Sequence, residues 1–136
     1  MARVLVVEDD RAIRELLQFA LECEGYETLT RSDGRDVIAL LSEWIEPCVV
    51  LMDLMMPWVD GRAVCEAIGD RYPELARHQI VIMSACWLEP NEWPQQARTV
   101  LRKPFDLNDM LRLVATLFAV PMADPQVEAS AIRMGA

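Results

Sequence analysis

Four short runs rich in Val, Ile and Leu recur along this chain, and they limit its possible folds more than any other feature. They occupy residues 4–7, 48–52, 80–83 and 99–102. Continuous apolar runs of this length are typical of strands that are buried on both faces of a parallel sheet. The segments between them carry apolar residues at helical spacing, as in residues 11–24. The pattern therefore predicts strands that alternate with helices.

This alternation favours an α/β fold, a doubly wound parallel sheet of five strands with helices on both faces. Residues 28–30 supply a short second strand, and the order 2-1-3-4-5 places the first and third strands side by side. Asp33-Gly34 is expected to open a second helix that Pro47 ends. Pro90 and Pro94 leave little room for a fourth full helix, so we expect that helix to be short or irregular.

Polar residues follow each of the four apolar runs. Glu8 and Asp9 follow the first run, Asp53 the second, Ser84 the third and Lys103 the fourth. Because parallel strands end at one edge of the sheet, these side chains are expected to converge where open α/β sheets bind ligands. Each residue alone is more typical of a helix cap, a turn or a solvated charge. Their combination at one edge favours a functional site.

The crowded carboxylates at this edge need a neutralising charge. Two carboxylates about 4 Å apart repel by roughly 4 kcal/mol at an effective dielectric constant of 20. Lys103 supplies one positive charge, and a divalent cation would supply two. The candidate ligands are all oxygen atoms, which favours Mg²⁺ over zinc. Beside Mg²⁺, Asp53 can act as a nucleophile toward phosphorus, while Lys103 and Ser84 hold the phosphoryl oxygens.

Length and charge limit the class of protein further. The 136 residues suffice for one domain with a full core, and the net charge of −9 argues against a nucleic-acid-binding surface. No apolar stretch reaches the roughly 18 residues that a membrane span needs. The first strand begins almost at Met1, so no signal peptide is expected. The four cysteines have no metal-type spacing, which favours free thiols in the cytoplasm.

Four motifs resemble, in order, those of the receiver domain of two-component response regulators. They are VLVVEDD at residues 4–10, LMDLMMPWVDG at 51–61, IMSA at 82–85 and KPF at 103–105. The resemblance covers about residues 2–118 and implies a flavodoxin-like fold. It divides the chain into a receiver domain over residues 1–118 and a C-terminal tail or short helix over residues 119–136.

The resemblance also implies a role for each site residue. Asp53 would be the phospho-acceptor, Ser84 the hydroxyl that responds to phosphorylation, and Lys103 the cation that contacts the phosphoryl group. The metal ligands would be Asp9 directly, Glu8 through water, Asp53 and the backbone carbonyl of Met55. The Ala85 backbone N–H would be a further donor to the phosphoryl group.

A stand-alone, Mg²⁺-dependent phosphorelay protein is the function that this resemblance implies. The phosphoryl group would come from a histidine of a sensor kinase or phosphotransfer protein, and from small acyl phosphates. Phosphorylation would change the affinity for a downstream effector protein. A second copy of the chain, in a homodimer, would be a further partner. Its own phosphorylation and dephosphorylation would be its only chemistry, so the protein would not be an enzyme in the usual sense. Neither nucleic acid nor membrane is an expected partner.

Other interpretations remain open at this point. The receiver family often has an aromatic residue three positions before the lysine, where this chain has Val100. That departure favours a pseudo-receiver, a protein interaction module that works without phosphorylation. A haloacid-dehalogenase-type phosphatase would need a second acidic residue at the position of Met55. A flavodoxin-like FMN protein would need a Ser/Thr/Gly-rich phosphate loop after the first strand.

Overall fold

A computed structural model describes residues 2–119 of the chain. Its helices and strands, in chain order, are β1 (Arg3–Val7), α1 (Arg11–Cys23), β2 (Glu27–Arg31), α2 (Val37–Glu43), β3 (Val49–Asp53), α3 (Gly61–Arg71), β4 (Gln79–Ser84), β5 (Ala97–Arg102) and α4 (Leu107–Ala119). Two short 3₁₀ helices, Pro73–Arg77 and Pro90–Glu92, precede β4 and β5. None of the helices within residues 2–119 is long and apolar enough to cross a membrane.

The five strands form one parallel sheet in the order β2-β1-β3-β4-β5, which confirms the predicted topology. The register aligns the carboxyl ends of the central strands. Val7 lies opposite Met52, Asp53 opposite Met83, and Ser84 opposite Arg102. Residues that follow β1, β3, β4 and β5 therefore meet at one edge of the sheet, as the sequence pattern predicted.

Two apolar cores cover the faces of the sheet. Alternate residues of β1 and β3 point to opposite sides, with Leu5 and Val50 on one side and Val4 and Leu51 on the other. The first side packs against α2 and α3, and the second against α1 and α4. The buried strands of this doubly covered sheet account for the continuous apolar runs in the sequence.

Local sequence signals set the ends of α1 and α3. The Asp10 side chain accepts a hydrogen bond from the Ile13 N–H at 3.2 Å, and Asp60 accepts one from the Ala63 N–H at 2.9 Å. Both are N-caps. Gly25 follows α1 with a φ of 91°, a conformation that favours glycine.

The predicted second helix was too long at both ends. It begins at Val37 rather than at Asp33-Gly34, and it ends at Glu43, before Pro47. The Gly34 N–H donates to the Val59 carbonyl at 2.9 Å, and a Cβ on Gly34 would lie 2.7 Å from that oxygen. The segment before α2 is therefore a loop held tightly against the loop that follows β3.

The helix expected between β4 and β5 was predicted to be short or irregular. This is confirmed, because Pro90–Glu92 forms a single 3₁₀ turn there. A single sheet with an apolar core on each face connects the helices and strands of residues 2–119. The domain boundary at residue 118 stays a prediction. The last helix, α4, ends next to it at Ala119. The predicted tail or short helix after Ala119 lies outside the described residues.

Candidate functional site

The strand ends bring the predicted acidic residues and Lys103 together at the carboxyl edge of the sheet. Glu8 is fully buried and Asp53 is 8% exposed, whereas Asp9 lies at the surface. Lys103 Nζ lies 2.5 Å from Glu8 Oε1 and 3.1 Å from Asp53 Oδ2. One ammonium group thus contacts a carboxylate from each of two adjacent strands.

The electrostatics of the cluster distinguish its two buried carboxyl groups. Burial, together with the neighbouring Glu8, raises the pKa of Asp53 to about 7, although Lys103 acts to lower it. Burial also disfavours ionised Glu8, but hydrogen bonds with Asp53, Lys103 and the Asp10 N–H outweigh it and lower its pKa. The pKa of Asp53 is therefore the higher of the two, and a further cation at the site would lower it.

The acidic cluster is compact enough for its three carboxylates to share one cation. Glu8, Asp9 and Asp53 each offer a carboxylate oxygen, and these oxygens lie within 4.8 Å of one another. Ligands on opposite sides of an Mg²⁺ ion are about 4.2 Å apart, since each Mg–O distance is about 2.1 Å. Small side-chain adjustments would therefore suffice, and the all-oxygen donor set suits Mg²⁺.

The loop between β3 and α3, which contains Met55, is held beside Asp53 by backbone hydrogen bonds at both of its ends. The Leu54 N–H donates to the Met83 carbonyl at 2.9 Å, and the Gly61 N–H donates to the Leu54 carbonyl at 3.0 Å. A Cβ on Gly61 would lie 2.4 Å from the Asp53 backbone oxygen, so this close approach requires glycine. The Met55 side chain is 74% exposed, which leaves its backbone as the candidate contribution to metal binding.

Ser84 lies at this edge, but its hydroxyl group is engaged locally. Ser84 Oγ donates to the Cys86 carbonyl at 3.0 Å and accepts from the Cys86 N–H at 3.1 Å. Ser84 is buried and Ala85, the next residue, is exposed. Both residues thus lie at the carboxyl edge of the sheet, and their roles toward a phosphoryl group stay predictions, while the turn that holds the Ser84 hydroxyl was not foreseen.

Two arginines beside the site were missed by the sequence analysis. Arg14 Nη1 donates to the backbone carbonyl of Glu8 at 2.8 Å and to that of Asp9 at 3.4 Å. The Arg35 guanidinium lies 4.9 Å from the centre of the Trp58 ring, so it stacks on the loop that follows Asp53. The position of Arg14 in the first turn of α1, where a cation opposes the helix dipole, was the available signal.

Comparison with known proteins agrees with this geometry. A family model for the response regulator receiver domain matches residues 4–115. The chain is also similar to the DNA-binding dual master transcriptional regulator RpaA of Synechocystis sp., with 31% identity over 119 residues. That match covers 86% of this chain and 49% of RpaA, so the chain spans about half the length of this relative.

Solved structures share the fold. A CheY-like response regulator receiver domain protein from Methanospirillum hungatei is 26% identical, with a TM-score of 0.73, and the match covers 87% of this chain and 94% of that one. The response regulator protein TrrA from Thermotoga maritima, solved in complex with Mg²⁺-BeF, is 28% identical, with a TM-score of 0.72. That match covers 86% of this chain and 99% of TrrA. These similarities confirm the flavodoxin-like architecture.

Proposed function

This chain belongs to the response regulator receiver domain family of two-component signalling, and on that premise we propose that Asp53 accepts a phosphoryl group in an Mg²⁺-dependent reaction. The observation that carries the proposal is the contact of one ammonium group, Lys103 Nζ, with both Glu8 and Asp53 inside a cluster of three carboxylates. Such a cluster is suited to binding a phosphoryl group together with a cation.

The proposed metal ligands are Asp9 and Asp53, Glu8 through water, and the Met55 backbone carbonyl. When bound, Mg²⁺ offsets the negative charge that gathers on the phosphoryl oxygens during transfer. It also favours ionised Asp53 over the protonated form that burial and Glu8 promote.

In the transfer step, an Asp53 carboxylate oxygen forms a bond to phosphorus as the bond from phosphorus to the donor breaks. With a phosphohistidine donor, the electron pair of the P–N bond stays on the imidazole nitrogen. Lys103 is close enough to exchange its contact with Asp53 for one with a phosphoryl oxygen. Ser84 Oγ would leave the Cys86 backbone to donate to the phosphoryl group, and the Ala85 N–H would be a second donor.

The partners that we propose follow from this chemistry and from the charge of the chain. The phosphodonor is a sensor histidine kinase or a histidine phosphotransfer protein, and the receiver of the signal is an effector protein. RpaA is DNA-binding by its name, but the net charge of −9 in this chain supports a protein as the direct partner.

Acetyl phosphate with Mg²⁺, followed by intact mass measurement, tests the proposed acceptor. We expect the wild type to gain the mass of one phosphoryl group and Asp53→Asn to gain none. Asp70→Asn is the matched control, because it makes the same chemical change at an exposed position near the end of α3. Its adduct should match that of the wild type.

The pseudo-receiver alternative predicts a different result from the same experiment. A wild type that gains no phosphoryl group, from acetyl phosphate or from a phosphorylated histidine donor, would contradict the proposed function. Val100, in place of an aromatic residue, is the feature that favours this alternative.

A further inference from the structure

Arg14 contacts the backbone of the acidic loop rather than any carboxylate in it. Its Nη1 atom donates to the Glu8 carbonyl at 2.8 Å and to the Asp9 carbonyl at 3.4 Å. These are the two residues that connect β1 to the N-cap of α1. One side chain therefore joins the carbonyls of both acidic residues proposed to bind Mg²⁺ from this loop.

The position of Arg14 is electrostatically unusual for a helix. A cation in the first turn of a helix opposes the macrodipole, so this placement is unfavourable by itself. By contrast, Arg11 in the same turn is 81% exposed and forms an ion pair with Glu15 at 2.9 Å. Arg14 is half-buried and is directed back along the helix toward the loop. Its charge-assisted bonds to the two carbonyls account for this placement.

The other contacts of the loop hold Glu8 more fully than Asp9. The Glu8 N–H donates to the Arg31 carbonyl at 3.0 Å, and Glu8 Oε2 accepts from the Asp10 N–H at 3.2 Å. Asp9 lies at the surface between these anchored residues. The carbonyl of the Glu8–Asp9 peptide accepts the 2.8 Å bond from Arg14, whereas the Asp9–Asp10 peptide is held both by Glu8 Oε2 and by the longer Arg14 bond of 3.4 Å. Arg14 thus holds the peptide that leads into Asp9, and the orientation of this peptide contributes to the direction of the Asp9 side chain.

We infer that Arg14 is a positioning residue for Mg²⁺, which fixes the peptide groups of Glu8 and Asp9 so that the Asp9 carboxylate points into the site. This inference rests on the proposed function, because it concerns the same metal site. Residues that orient metal ligands typically change metal affinity about 10–100-fold when they are replaced.

Two effects of Arg14 on Mg²⁺ have opposite signs, and this makes the inference testable. The positive charge repels a cation, so a role through charge alone predicts tighter Mg²⁺ binding when the charge is removed. A positioning role predicts weaker binding. Arg14→Lys keeps the charge but replaces the planar guanidinium with a compact ammonium group.

The experiment is a titration of the full chain with MgCl₂ in a calorimeter, without a phosphodonor. We expect Arg14→Met to weaken Mg²⁺ binding about tenfold and Arg14→Lys to weaken it less. Arg11→Met removes the same charge from the same turn of α1 and should bind Mg²⁺ as tightly as the wild type or more tightly. Urea unfolding without Mg²⁺ verifies that each variant is folded under the titration conditions.

The outcomes separate the two proposals. If the wild type binds no Mg²⁺, both the metal site and the role of Arg14 are overturned. If the wild type binds Mg²⁺ and the two Arg14 variants bind it equally or more tightly, the metal site stands and the positioning role is wrong. If Arg14→Met is not folded, Arg14→Lys alone decides, because its charge is that of the wild type.

Discussion

Trp58 adopts a backbone conformation that its side chain disfavours. Its φ is 69°, in the left-handed region, which costs a residue with a Cβ about 1–2 kcal/mol. The ring is 77% exposed, and the stacked Arg35 guanidinium returns about 0.5–1 kcal/mol at such a site. The bond between Gly34 and Val59 fixes the loop around Trp58. The loop therefore dictates this conformation, and the tryptophan tolerates it.

This strain predicts an unusual order of stability at position 58. Trp58→Ala keeps the left-handed backbone and loses the stacking, whereas Trp58→Gly also removes the strain. We expect the glycine variant to be more stable than the alanine variant by roughly 0.5–1 kcal/mol in urea unfolding. At exposed Glu66 within α3, substitution by alanine should instead give a more stable protein than substitution by glycine. An alanine variant at position 58 that is as stable as the glycine variant would contradict the expected strain.

The C-terminus of α2 is held by side chains from the segment before β4. His78 Nε2 donates to the Leu41 carbonyl at 2.9 Å, and Arg77 Nη2 donates to the Trp44 carbonyl at 2.8 Å. The Cys48 N–H donates to His78 Nδ1 at 3.1 Å, so Nδ1 holds a lone pair and the ring is neutral. A helix of seven residues is marginal alone, and these bonds satisfy the carbonyl of Leu41 in its last turn and that of its C-cap Trp44.

The neutral His78 ring predicts a pH dependence of stability. Burial lowers the pKa of His78 below its usual 6.5, so the unfolded chain binds the proton more readily. The contribution of His78 is therefore complete above about pH 6.5 and is lost as the pH falls below it. Asp53 acts oppositely, because its pKa is raised to about 7 and folding favours its protonated form at lower pH.

A non-titrating variant isolates the effect of His78. His78→Gln keeps a donor for the Leu41 carbonyl, and the contribution of Asp53 cancels when the two proteins are compared. In urea unfolding without Mg²⁺, the stability advantage of the wild type over His78→Gln should shrink as the pH is lowered through 6.5. An advantage that is constant with pH would show that His78 is not held neutral.

At the scale of the whole molecule, Mg²⁺ binding should stabilise the fold. A chain of net charge −9 that gathers three carboxylates gains from any cation bound only by the folded state. At an Mg²⁺ concentration 100 times its dissociation constant, the gain is about 2.7 kcal/mol. Urea midpoints in MgCl₂ and in NaCl of equal ionic strength should therefore differ for the wild type. Asp9→Asn should lose most of that difference, whereas equal wild-type midpoints would contradict a specific site.

The sequence alone was sufficient to predict the topology of the sheet and the edge at which the candidate site residues gather. Parallel strands that are buried on both faces leave continuous apolar runs, and their shared direction brings Asp53 and Lys103 together. The side-chain contacts of Arg14, Arg35 and His78 were not predictable, because each joins elements whose distance is set by tertiary packing. The late start of α2 was not predictable for the same reason, because the close packing of Gly34 against Val59 holds the residues before Val37 as a loop.

The single 3₁₀ turn between β4 and β5 has a consequence for how a change at the proposed phosphorylation site could reach a partner protein. A full helix moves largely as a rigid body, so a displacement of one end also displaces the other end. Residues 85–96 instead form an irregular segment with one 3₁₀ turn, held in place where Pro94 is buried and where the Arg62 guanidinium donates to the Glu92 carbonyl. Because Ser84 Oγ is bonded to the Cys86 backbone, a rotation of Ser84 would change the start of this segment directly. A partner protein that responds to this change would therefore contact a locally altered surface of residues 85–96 rather than a displaced helix.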